Sequence, residues 1–232
     1  MKRTKAPVFL GFLALVAGCG SDGGTDPSIN DRDVCAPEEA TARYVVTFLS
    51  TWSAETHPEA FPPGPHFSRL IGGTHDSGVV LWELGKRASN GIEVMAETGG
   101  FNPLKEEVEE ATNSETSGRV LLGGGIGRSP GQVSLSFDIR RDTPLVTLVS
   151  MVAPSPDWFV GVSGLSLCDG DRWIDSLVVD LHVYDAGTDD GPSYLSPDDD
   201  ANPKGTIFQM AAAPFLVDGL VPPVGTFTFV RE

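Results

Sequence analysis

The hydrophobic and polar positions along the chain alternate in short stretches. From Gln132 to Arg140 (QVSLSFDIR) they alternate strictly, with Val133, Leu135, Phe137 and Ile139 on one side. This two-residue period predicts a half-buried strand. Arg43 to Leu49 (RYVVTFL), Leu177 to Tyr184 and Gly225 to Arg231 (GTFTFVR) are rich in β-branched and aromatic residues and predict further strands, the last closing the sheet. Pro144 precedes an apolar run from Leu145 to Val152. Helical spacing is scarce: Gly78 to Gly91 is mixed, while Leu104, Val108 and Ala111 recur at i, i+4 and i+7 with Glu106, Glu107, Glu109 and Glu110 between them and facing out. Many strands divided by Gly/Pro turns, with one or two short surface helices and no βα alternation, predict an all-β fold, an antiparallel sandwich or barrel.

The N-terminus departs from this pattern. Lys2, Arg3 and Lys5 precede an uncharged segment from Ala6 to Gly18, too short to span a bilayer but the right length for the apolar region of a secretory signal. It ends in Val16-Ala17-Gly18-Cys19, which resembles the bacterial lipobox. Residues 1–18 are therefore expected to be a lipoprotein signal peptide, with Cys19 lipidated. Residues 19–33 would form a flexible polar tether, and residues 34–232 a single domain. Gly20, rather than Asp, after the cysteine favours the outer membrane or cell surface as the anchored location.

Composition narrows the partners. The chain has 232 residues, with 32 Asp+Glu against 16 Lys+Arg. Removing the leader leaves 13 basic residues against the same acids, so nucleic acid, which needs a basic footprint, is excluded as a partner. With Cys19 assigned to the lipid, Cys35 and Cys168 remain, and two cysteines in an exported chain read as one disulfide. Such a long closed loop corresponds to roughly 4–5 kcal/mol in the chain-entropy model.

The glycine-rich stretch Gly123 to Gly131 has neither phosphate-loop spacing nor a following helix, and reads as a turn between strands. His57, His66, His75 and His182 match no metal-binding or catalytic pattern and read as packed or surface side chains. The segment from Asp185 to Gly191 (DAGTDDG) sets several carboxylates in a glycine-rich turn, which suits Ca2+ but does not have EF-hand spacing. By itself it reads equally as a solvated acidic turn. Asp198, Asp199 and Asp200 read as a solvated loop.

Several segments together resemble the spondin domain, the N-terminal module of F-spondin and mindin. They include His66-Phe67-Ser68-Arg69-Leu70-Ile71-Gly72, Pro154-Ser155-Pro156-Asp157-Trp158-Phe159-Val160-Gly161, Leu167-Cys168 and Tyr184-Asp185-Ala186-Gly187-Thr188-Asp189. The resemblance runs from about Cys35 to the C-terminus. It implies a C2-like antiparallel β-sandwich with Ca2+ held by loops at one end, the metal carboxylates falling on Asp157, Asp185 and Asp189. It also implies a Cys35–Cys168 disulfide. Asp190 stands where Ser is commoner in the family. Animal spondins carry thrombospondin-type repeats and act in the extracellular matrix. The segments here include no such repeat, so the identity of a protein or glycan ligand does not carry over.

The expected function is a lipid-anchored, Ca2+-binding extracellular binding or adhesion module of the bacterial cell envelope, presenting Trp158 and Tyr194 or their neighbours to its partner, and not an enzyme. The alternatives are a structural envelope protein in which Ca2+ is only a staple and, further off, a metal-assisted hydrolase with an open coordination position beside a general base.

Overall fold

The computed structural model describes residues 37–112 and 118–232, all within the compact unit Asp31–Glu232. Along the chain run β1 (Thr41–Ser50), β2 (His66–Phe67), β3 (Ile71–His75), α1 (Asn90–Thr98), α2 (Leu104–Ala111), β4 (Gly118–Leu122), β5 (Gly131–Arg140) and β6 (Leu145–Ala153). There follow β7 (Trp158–Ser166), β8 (Cys168–Asp169), β9 (Arg172–Trp173), β10 (Ser176–Leu181), β11 (Tyr184–Asp185), β12 (Phe208–Gln209) and β13 (Gly225–Arg231).

Two antiparallel sheets form the sandwich. One has the order β10-β13-β1-β5; the other runs β12-β11-β7-β6-β3-β4, with β2 joined to β6. The strand β13 lies inside its sheet, between β1 and β10, and not at its edge. The main core fills the gap between the sheets with Tyr44, Val46 and Phe48 of β1, Phe137 and Ile139 of β5, Leu148 of β6, and Phe227 and Phe229 of β13.

The difference in hydrophobic pattern between β5 and β6 follows from what covers them. In β5, Ser134, Ser136 and Asp138 face solvent between the inward side chains, so the strand alternates. In β6, every residue from Val146 to Ala153 is buried, because α1 and α2 cover the outer face of its sheet. A strand covered on both sides reads as a continuous apolar run. Ile92, Met95 and Ala96 of α1, with Leu104 and Val108 of α2, form a second core against Ile71, Val149, Met151 and Phe159. The helices therefore close a core of their own and are not merely a surface layer.

Two further expectations are corrected. Ala111 is exposed, and Glu107 turns toward α1: its Oε1 accepts from Gly91 N at 2.7 Å and its Oε2 from Ser89 Oγ at 2.5 Å. A carboxylate is favoured there because it meets the unpaired amides at the helix N-terminus. Leu177 to Tyr184 is not one strand. It breaks after Leu181, and the chain crosses to the other sheet, where Tyr184 and Asp185 pair with Phe159 and Trp158 of β7. The crossing sets Asp185 beside the end of the β6–β7 turn.

Candidate metal centre

Asp157 is the last residue of that turn, immediately before β7, and its side chain is fully buried. Its carbonyl accepts from Ala186 N at 3.2 Å, tying the turn to the loop after β11. Its Oδ2 accepts three hydrogen bonds, from Thr188 N at 2.7 Å, Thr188 Oγ1 at 3.2 Å and Asp189 N at 3.2 Å. Its Oδ1 is buried without a hydrogen-bond partner. A carboxylate oxygen withdrawn from water and left unpaired is costly, and it is an open ligand for a cation.

Asp185 is half-buried. Its Oδ1 accepts from Gly187 N at 2.8 Å and its Oδ2 from Trp158 Nε1 at 3.2 Å. Gly187 has φ +71, the left-handed conformation that lets this tight turn form. Asp189 closes the loop onto itself: Oδ1 accepts from Gly191 N at 2.7 Å and Oδ2 from Asp199 N at 3.1 Å.

The acids of this region act on one another. Burial, and then the charge of Asp185, push the Asp157 carboxyl up to about 6, against the opposing effect of its hydrogen bonds. Burial likewise raises Asp185, and the neighbouring Asp189 and Asp190 add to the effect. Glu97, on the last turn of α1, is also raised, first by burial and then by the charges of Glu93 and Asp157. Glu97 thus belongs to this acidic neighbourhood. Nothing in its local sequence marks it, because only the packing of α1 on the second sheet brings it there.

Asp157, Asp185 and Asp189 meet in one region, as the sequence suggested. Among the described residues, however, no three His, Cys, Asp or Glu side chains converge as a ready-made metal cluster. The match to a cation lies in the orphaned Asp157 oxygen and in the excess of negative charge.

Trp158 and Tyr194 are not presented to a partner. They are 1% and 4% exposed, with ring centroids 5.2 Å apart, and both pack on Phe215. Large rings beside this acidic turn contribute more by packing into the core than by projecting into water. Leu195, next in the chain, is 65% exposed instead.

The histidines do not gather. His57 sits near Phe215, and His75 bonds Thr147 Oγ1 at 2.8 Å and the Asp76 carbonyl at 2.8 Å. Cys168 is disulfide-bonded. Cys35, its expected partner, and Cys19 lie outside the described residues. Among the described residues, no helix is long and apolar enough to cross a membrane.

Comparison with known proteins agrees with this architecture. The Spondin_N family model matches residues 42–215. Human Spondin-2 is 33% identical over 222 residues, covering 90% of this chain and 67% of the relative. Rat Spondin-1 is 36% identical over 192 residues, covering 80% of this chain and 23% of the relative. With a match spanning most of the sandwich and taking in both the β6–β7 turn and the loop after β11, this chain belongs to the spondin N-terminal domain family.

Proposed function

We propose that this chain is an exported, lipid-anchored β-sandwich that binds Ca2+ through Asp157, Asp185 and Asp189 and serves as an extracellular binding or adhesion module rather than an enzyme. The reading rests above all on the buried, unpartnered Oδ1 of Asp157. A divalent cation would satisfy that oxygen and offset the mutual repulsion of the acids around it. Backbone carbonyls and water would complete the shell. Membership of a family that includes Spondin-1 and Spondin-2 supports the extracellular role. Anchoring would come from a lipid on Cys19 in the bacterial cell envelope, and Cys35 would be the disulfide partner of Cys168.

A second reading, in which Ca2+ only staples the loops together, is favoured by the burial of Trp158 and Tyr194, which fixes those loops to the core with or without a partner. Calorimetry of the full chain with Ca2+, alongside a pull-down from extracellular material with and without chelator, tests both. Ca2+ binding lost in Asp157→Ala, together with chelator-sensitive capture, supports the gated module. Ca2+ stabilisation with capture unaffected by chelator supports the staple. Absence of Ca2+ binding overturns both readings.

A further inference from the structure

Thr188 touches more than Asp157. Its hydroxyl donates to Asp157 Oδ2 at 3.2 Å and also hydrogen-bonds with the carboxylate of Glu97, on the last turn of α1. That hydroxyl has one hydrogen and faces two acidic acceptors, so it can satisfy only one of them at a time. The charges of Glu97 and Asp157 also act directly on each other.

The packing of α1 explains how a helix residue arrives there. Met95 and Ala96 lie in one core with Ala186, from the loop after β11, and Ile207, just before β12. Glu93 and Glu97, four residues apart, share one side of the helix. Lys204 joins Glu93 to Asp200, whose Oδ1 it meets at 3.2 Å, and Asp200 pairs with Asp189 in an isolated β-bridge. Backbone bonds tie the same segment to the loop: Ala201 N donates to the Thr188 carbonyl at 2.9 Å, and Gly205 N to the Gly187 carbonyl at 2.7 Å. The Lys204 ammonium is thus committed to Glu93 and Asp200. Glu97, one turn further along the helix, has no ion pair among the described residues.

Two separate observations therefore meet at Thr188. On one side is the buried, unpartnered Oδ1 of Asp157. On the other is a half-buried glutamate without a cation of its own. Each carboxylate brought to this turn makes the metal-free arrangement more costly and a divalent cation more favourable, because the cation attracts every charge around it at once. Resting on the Ca2+ reading above, we infer that Glu97 is a fourth acid of the cation site. Asp157, Asp185 and Asp189 supply the contacts to the ion, and the charge of Glu97, held behind Thr188, strengthens their hold on it.

The test is calorimetry of the full chain with Ca2+ alone in low-salt buffer, comparing the parent with Glu97→Gln, Glu97→Asp and Glu106→Gln, the last an exposed acid of α2. Glu97→Gln weakens Ca2+ binding about tenfold, Glu97→Asp recovers part of the loss, and Glu106→Gln leaves the affinity unchanged. The metal-free melting temperature of Glu97→Gln equals or exceeds that of the parent, because a repelling charge is gone; loss of a merely structural glutamate would lower it. Ca2+ binding by the parent with the same affinity in Glu97→Gln would overturn this inference and leave the site itself standing. A weakened affinity that comes with a lower metal-free melting temperature, and that Glu97→Asp does not restore, would overturn it as well. A parent that binds no Ca2+ overturns the inference together with the reading beneath it.

Discussion

Thr188 grips Asp157 twice, through its backbone amide at 2.7 Å and its hydroxyl at 3.2 Å, and both bonds reach the same carboxylate oxygen. The other oxygen is left buried and unpaired. One residue thus locks the orientation of the acid while leaving its second oxygen open to a ligand. Because Thr188 lies on the loop after β11 and Asp157 on the β6–β7 turn, the same bonds hold the two loops together.

Asp157→Asn keeps an acceptor for Thr188 and Asp189 and removes the buried charge. Without Ca2+ the variant is expected to be more stable than the parent by about 1–3 kcal/mol, since an uncompensated buried charge is relieved. With Ca2+ its melting temperature should no longer rise. Differential scanning calorimetry with and without Ca2+ checks both halves; a variant less stable than the parent without Ca2+ would show that the charge is already compensated.

His75 supplies a pH dependence of definite sign. Burial lowers its pKa from the ordinary 6.5, so below that value the unfolded chain takes up a proton that the folded chain resists. The stability from a neutral His75 is present above about 6.5 and lost as pH falls toward the folded value. Between pH 7 and pH 5 the parent should therefore lose stability on this account, the loss beginning as pH falls below about 6.5. The raised pKa values of Asp157, Asp185 and Glu97 act with the opposite sign. The histidine contribution is therefore read from the difference between parent and His75→Gln in urea unfolding across this range. Parallel curves would refute it.

Glu107→Ala removes both hydrogen bonds that fasten α2 to the start of α1. A destabilisation of about 1–2 kcal/mol is expected in urea unfolding, with Glu107→Gln recovering part of it. No change in the midpoint would mean that water replaces the carboxylate without cost.

Gly72→Ala would place a methyl group 1.9 Å from the Thr147 carbonyl oxygen on the paired strand β6. Backbone cannot yield there as a flexible side chain could, so a loss of about 3 kcal/mol or more is expected. Soluble yield and melting temperature report it, and a variant that melts near the parent temperature would show that β3 can shift away from β6.

The strands that form the sandwich can be read where one face is wet. The alternation in β5 and the β-rich runs of β1 and β13 match the observed elements closely. The short strand β3 (IGGTH) escapes notice because it is buried on both sides and two of its five residues are glycine, so neither alternation nor β-propensity marks it. The acids Asp157, Asp185 and Asp189 are visible through the strings that contain them and through family resemblance. Glu97 is not, because a half-buried glutamate at a helix end looks like a solvated one until the helix has a sheet to pack on.

By itself, the sequence determined the all-β class, the family, the acidic balance and the residues that meet around Asp157, since these depend on local periodicity, charge and recognisable strings. Tertiary structure alone decided that Trp158 and Tyr194 face inward and that Glu97 joins the acids. Each of these depends on how separate elements pack, because burial and charge proximity are properties of the assembled layers and not of any one segment.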